Sequence, residues 1–337
     1  MKNDDFSPKK WIFLLLPLLL PVIMGAALLF GSSSLTLSQV FDGLTASGAD
    51  KYTIIIRHIR LPRMLGGLLA GTGLSVSGVL LQSVTGNDLA SPNIIGVNSG
   101  AGLAVIIFLY FFPMAATALP WAAFLGAFLA ALLILWIANK IGLSKSTVIL
   151  SGIAATSLFN AGISFISLLD TDVLASYNYF SIGGLSGVTL DKLLLPAILI
   201  FLSLALSLLF SKRISLLCLG DDLAASLGVR VKALRVFCLA CACACAASVV
   251  SFAGLLGFVG LIVPHIARKL VGNHIPLLLP ISALCGGSLV ILADLLGRVL
   301  FAPTEIPVGI VMALIGSPFF VFLLLGRRRS HAASPRD

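Results

Sequence analysis

Four side chains able to recognise charge stand close together in RHIRLPR, residues 57–63: Arg57, His58, Arg60 and Arg63. A guanidinium group can donate two parallel hydrogen bonds to a carboxylate, and basic residues beside an apolar helix normally mark the cytoplasmic side of a membrane, so a cluster facing outward would need another role. The same residues could instead anchor a helix end, their charged tips reaching the polar boundary of a membrane. Arg298 poses the same choice, because Asp294 stands one helical turn before it as an internal partner.

Other reactive residue types read as structural. Cys238, Cys241 and Cys245 recur at i, i+3 and i+7 in CLACACACA, with Cys243 between them. Thiolates could bind copper(I) or zinc, but cysteines in such a setting serve as small apolar packing residues, and no metal site is assigned. His265 follows Pro264 without a second ligand nearby and is given a role at a helix break. Asp170, Asp172 and Asp191 read as acids of a solvated loop, and Glu305 with Pro307 as the opening of the last helix.

The elements that must position these residues follow from composition. Hydrophobic residues make up 59% of the 337 and charged residues 10%, and mean hydropathy is +1.11, whereas a soluble domain carries roughly 25% charged residues. The chain is therefore read as an all-α polytopic membrane protein, a single transmembrane domain over residues 1–337. Runs of about 20 apolar residues suffice to cross the hydrocarbon layer. They place ten spans at about 11–31, 61–83, 93–112, 120–139, 147–169, 190–211, 234–254, 256–272, 277–298 and 306–326. The first is read as a span and not a signal peptide, because the apolar run is too long and lacks a small-residue cleavage site. The net charge of +9 is scattered through short connecting stretches, which argues against nucleic acid.

Orientation follows from counting basic residues. With both ends in the cytoplasm, sixteen of the twenty-two Lys and Arg residues fall on the inner side, while Lys51, Arg57, Arg60, Arg63, Lys192 and Arg298 fall outside. RHIRLPR thus faces outward, against the usual rule. The second span has Gly67, Gly71 and Ser75 at four-residue intervals, a spacing that lets helix backbones approach closely, and it is expected to be buried. Its inner end leads into Asn87, Asp88 and Pro92, which read either as an ordinary connecting loop or as a constriction beside a pore. In SKRISLLCLGDDLAASLGVRVKALR, residues 211–235, Asp221 and Asp222 suit a helix start and Gly228 a helix stop. A helix this short has little stability alone, so it is expected to dock on a partner.

HIRLPR, SGVLLQ, NDLASPNIIGVNSGAG, LGDDLAASLGV, GFVGLIVPHIAR, LLPISAL, LADLLGR and EIPVGIVMALIGSPFF occur in an order and spacing that resembles the FecCD-type permeases over essentially the whole chain. These are membrane subunits of type II ABC importers for iron–siderophore complexes, haem and cobalamin. The resemblance implies ten helices per subunit and a dimer with a second permease, identical or sister. It implies two ATP-binding subunits, an extracytoplasmic substrate-binding protein, and a place in the bacterial plasma (inner) membrane.

Residue by residue, the resemblance implies that Arg60, Arg63 and Arg298, with Arg57 assisting, receive acidic residues of the binding protein. It implies that short helices within 215–230 couple to the ATPase through Gly220, Asp221, Asp222, Ala225 and Gly228. It implies a cytoplasmic gate at Asn87 and Leu89, with Lys145 and Ser146 in the next inner loop. Here Asn-Asp-Leu-Ala replaces the family's usual Asn-Pro-Leu-Ala, so Asp88 stands where a rigid proline is common.

No catalytic residue is assigned. The chain has no G-x-x-x-x-G-K-[ST] phosphate loop, so a separate subunit must hydrolyse ATP. No cofactor is expected on this chain, ATP and Mg being used by that partner. The cargo implied is an iron–siderophore complex, with haem and cobalamin next. Two other classes stay in view. A secondary transporter can be built from inverted halves, but it would need ionisable residues inside the spans for coupling. A passive channel would need a charged ring or filter.

Overall fold

The computed structural model describes residues 12–31, 33, 35–45, 50–93, 96–141 and 145–332. In chain order the helices are α1 (Ile12–Leu29), α2 (Leu37–Thr45), α3 (Lys51–Ile54), α4 (Leu61–Thr85), α5 (Val97–Phe111), α6 (Leu119–Ile141), α7 (Lys145–Leu169), α8 (Thr171–Ile182), α9 (Leu190–Leu209), α10 (Ser211–Leu217), α11 (Asp221–Ser226), α12 (Val231–Ala253), α13 (Val259–Val271), α14 (Ile275–Val299) and α15 (Val308–Ala332). Among the described residues there is no strand.

Ten of these helices coincide with the ten expected spans: α1, α4, α5, α6, α7, α9, α12, α13, α14 and α15. Six are long and apolar enough to cross a membrane, and shorter apolar stretches lie in α1, α5 and α15. The remaining span, α13, has only 13 residues and ends in Arg268 and Lys269. The other five helices are short connectors.

Two departures from the sequence reading concern local geometry. The second span begins earlier than residue 61: α3, a π-helical turn at Ile55–Arg60 and α4 form one continuous run, Lys51–Thr85. Such turns widen the helix by one residue and recur at functional sites. Asp170 and Asp172 belong to no open loop, because Asp170 is the N-cap of α8. Its carboxylate accepts from the backbone N–H of Asp172 at 2.9 Å and of Val173 at 3.1 Å, filling donors that a helix start leaves unpaired.

α4 is the axis of the bundle, packed on α14, α12, α13 and α9. Each glycine in a helix interior costs about 1 kcal/mol relative to alanine, so its glycine-rich sequence needs a compensating gain. That gain is contact between backbones. A Cβ on Gly71 would overlap the carbonyl of Gly286 in α14, and one on Gly78 the carbonyl of Gly260 in α13. Hydroxyl bonds tie the same helix to its neighbours: Thr72 Oγ1 donates to Ala283 O at 3.2 Å and Ser77 Oγ to Ala242 O at 2.7 Å.

The cysteines of α12 are packing residues. Cys238, Cys241, Cys243 and Cys245 are buried among apolar side chains, the setting in which a thiol serves as a small apolar filler. His265 lies on α13 with its ring edge-on to Phe319, 5.9 Å between centroids.

Candidate functional site

At the end of the bundle where α4 begins, the π-turn and the first turn of α4 bring Arg60 and Arg63 beside Arg298, in the last turn of α14. All three are buried, with 4%, 7% and 5% of their surface exposed. Arg63 Nε donates to both carboxylate oxygens of Asp294, at 2.9 and 3.1 Å, and its terminal Nη1 donates to Glu305 Oε2 at 2.6 Å. Arg298 Nε lies 3.0 Å from Asp294 Oδ2, so Asp294 is held between two guanidinium groups.

The other contacts of Arg298, and those of Arg60, go to backbone carbonyls at and just past the end of α1, with Ser33 Oγ also 3.3 Å from Arg60. Arg60 donates to Leu28 O at 2.6 Å, to Leu29 O at 2.8 Å and to the carbonyl of Ser33. Arg298 donates to Phe30 O at 3.3 Å and Ala27 O at 3.4 Å. The last carbonyls of a helix have no partner within it and carry its negative end, so cations there are favoured. Three guanidinium groups thus face two carboxylates, and the end of α1 meets the remaining positive charge.

The sequence reading places Arg57, Arg60, Arg63 and Arg298 together, and the structure does gather the last three into one cluster. Their side chains turn inward, however. Arg57 is half-buried and donates to Leu44 O of α2 at 2.6 Å, while His58 is exposed. Asp294 as a partner of Arg298 is visible from the i, i+4 spacing. Glu305 as a partner of Arg63 is not, since the pair lies 242 positions apart.

Beside this cluster opens a cavity of about 460 Å³, lined by Arg63, Tyr179, Gly183, Gly184, Glu305 and Pro307 among others.

At the opposite end of α4, Gly86 adopts a left-handed φ of 62° and ends the helix. Asn87 then builds a turn: its side-chain oxygen accepts from Leu89 N–H and its carbonyl from Ala90 N–H, each at 3.0 Å. Asp88, at the first central position of that turn, lies 3.5 Å from Arg268 Nη1 of α13. The same nitrogen donates to the side-chain oxygen of Gln82, whose amide donates to Gly260 O at 3.3 Å. A cavity of about 590 Å³ separates this turn from α10, with Gln82, Asp88, Leu216, Cys218, Arg268 and His274 in its walls. Lys145 and Ser146 open α7. Ser146 is exposed, and the side chain of Lys145 lies outside the described residues, as do residues 142–144.

The segment between α9 and α12 forms two short helices, α10 and α11, the first beginning at Ser211, ahead of the 215–230 stretch taken from the resemblance. Gly220 and Gly228, at φ of 115° and 81°, bracket α11, in backbone conformations that favour glycine. Asp221 is not free at the helix start: both its carboxylate oxygens accept from Arg235 Nη2, at 2.8 and 3.0 Å. Arg235 is among the largest fully buried side chains. Asp222 and Ala225 are exposed, and so are the apolar residues Leu219, Leu223 and Leu227 around them. Ala224 and Val229 seat the segment on the bundle core.

Comparison with known proteins gives the arrangement a context. The model of the FecCD transport family matches residues 18–326. The Fe(3+)-citrate import system permease protein YfmE of Bacillus subtilis is 37% identical over 329 residues, covering 96% of this chain and 98% of its own length. The iron(3+)-hydroxamate import system permease protein FhuG of the same organism is 39% identical over 298 residues, covering 85% and 87%. Among solved structures, one assigned to a metal-chelate type ABC transporter in an inward-facing conformation superposes with a TM-score of 0.82 at 32% identity, over 94% of this chain and 98% of that one. With a family model matched over residues 18–326 and relatives more than a third identical over most of their length, the chain belongs to the FecCD transport family.

Proposed function

We propose that the protein is the membrane-spanning permease of an ATP-driven importer, its 337 residues acting as one transmembrane domain, with an iron(III)–siderophore chelate as cargo. The observation that carries this is the pair α10 and α11. After α10, Leu219, Leu223 and Leu227 at and beside α11 present an exposed apolar face on a segment pinned to the bundle by Asp221 and Arg235, in a chain of this family that has no phosphate loop. Such a face suits the cleft of an ATP-binding subunit, with Gly220, Asp221, Asp222, Ala225 and Gly228 at the contact. The relatives named for import of Fe(3+)-citrate and iron(3+)-hydroxamate support a ferric chelate.

In this reading two permeases, the same or sister chains, enclose the path and two ATP-binding subunits dock beneath them. Both termini lie in the cytoplasm. An extracytoplasmic binding protein docks at the arginine end. Arg60 and Arg298 act there largely through their field, which steers an acidic partner without full exposure, while Arg63, in the wall of the cavity beside it, and the half-buried Arg57 meet it directly. The turn at Asn87 and Leu89, with Lys145 and Ser146, forms the cytoplasmic gate.

The test is reconstitution in proteoliposomes with the ATP-binding and substrate-binding proteins, measuring uptake of ferric citrate and a ferric hydroxamate. ATP-dependent uptake of either chelate is expected. Uptake that persists when the ATPase of the partner subunit is disabled would overturn the proposal in favour of a secondary transporter.

A further inference from the structure

The two acids on Arg63 are not equivalent. Asp294 is buried and shared with Arg298, whereas the side chain of Glu305 is 34% exposed and lines the cavity beside Arg63. A carboxylate arriving through that cavity would meet Arg63 where Glu305 now sits.

Glu305 also lies at the head of α15, which three ties hold in place. Its own carboxylate binds Arg63 of α4. Ile306 N–H donates to Gly297 O of α14 at 3.0 Å, and Gly309 N–H donates to Gly183 O, just past α8, at 3.1 Å. Gly309 sits so close to the carbonyl of Ile182 that no Cβ would fit. Of these ties, the ionic one is what an acidic partner can compete for.

We propose that Glu305 is an internal stand-in for a carboxylate of the extracytoplasmic partner, and that exchange of the two on Arg63 frees the head of α15 from α4. The inference rests on the docking of an acidic binding protein at the arginine end, as argued above. Arg63 is already withdrawn from water, so replacing one carboxylate by another avoids a fresh desolvation cost, the term that usually offsets a buried ion pair. Glu305 then does two things. It keeps Arg63 neutralised while no partner is present, and it sets the affinity that an incoming acid must exceed. Because Gly309 links α15 to the end of α8, release of Glu305 reaches the wall of the cavity that holds Tyr179.

The experiment uses the permease with its ATP-binding subunits in lipid nanodiscs, titrated with the purified cognate substrate-binding protein. Glu305→Gln removes the competitor and should tighten binding by roughly tenfold or more, starting from the lower limit of what close interfacial charge pairs supply. Arg63→Gln should weaken it, and Glu305→Asp should stay near wild type. In the unaltered protein, hydrogen exchange at the amides of Ile306 and Gly309 should quicken when the binding protein docks. A Glu305→Gln protein that binds no more tightly while Arg63→Gln weakens binding would overturn the exchange and leave docking standing. An Arg63→Gln protein that binds normally would overturn docking at this site as well. Unchanged exchange at Ile306 and Gly309 on docking would overturn the release of α15 independently of any variant.

Discussion

Asp221, the first residue of α11, grips the terminal nitrogen of Arg235, in the second turn of α12, through both carboxylate oxygens. One end of this pair stands on an exposed six-residue helix and the other is buried in the bundle. It is a strut between a surface segment and a spanning helix. In Asp221→Asn the charge is lost but the size is kept, and a hydrogen bond to a charged group contributes about 1.5–3 kcal/mol. ATP hydrolysis by the assembled transporter should continue while uptake per ATP falls severalfold. Exchanging the pair, Asp221→Arg with Arg235→Asp, should restore part of the lost coupling. Equal uptake per ATP in Asp221→Asn would count against the strut.

Asp294 holds two guanidinium groups out of water. Removing one member of such a buried set costs about 3–5 kcal/mol, because the remaining charges stay desolvated. Asp294→Asn should therefore lower the thermal unfolding midpoint in detergent markedly, and added salt should not reproduce the effect in the unaltered protein. A midpoint within a degree of wild type would contradict this account.

The resemblance implies a proline where Asp88 stands, and the turn at this position has room for either residue. Ala90 N–H closes onto Asn87 O, which makes residue 88 the first central position of a β-turn, a place proline favours. Asp88→Pro should fold normally. It would lose the tie to Arg268, a half-exposed contact at 3.5 Å of the kind that contributes roughly 0–1 kcal/mol. Stability measured by denaturant should change by no more than that amount, and any larger change in transport rate would locate the effect in gating.

Gly78 touches the backbone of Gly260 with no space for a methyl group. Gly78→Ala would normally favour a helix, yet here overpacking should destabilise the protein by about 1–3 kcal/mol. Protease resistance of the purified protein is a direct measure, and a variant as resistant as wild type would show that α4 and α13 can separate without loss.

Much of this architecture is legible in the sequence, for a physical reason. A bilayer imposes length and hydropathy on each span, so ten apolar runs announce ten helices, and the small-residue spacing of α4 announces its burial. α8 escaped because it is short and mixed in polarity, although Asp170 followed two residues later by Asp172 was a usable cap signal. Charge counting puts RHIRLPR on the outer side only as an expectation, and the inward turn of its arginines cannot be read from local sequence at all. Asp294 lies 231 positions from Arg63, and nothing in local sequence specifies a contact made by closure of the whole bundle. The partnership of Asp221 with Arg235 was missed because an acid at a helix start has a sufficient local explanation in the helix dipole.

The glycine contacts of α4 have a mechanical meaning. Where Gly71 meets Gly286 and Gly78 meets Gly260, backbone bears on backbone, and no side chain between them can change rotamer to absorb a displacement. Sliding α4 against α13 or α14 would have to move backbone past backbone, so these three helices form a keel, and relative motion within the bundle falls to less deeply packed helices such as α7.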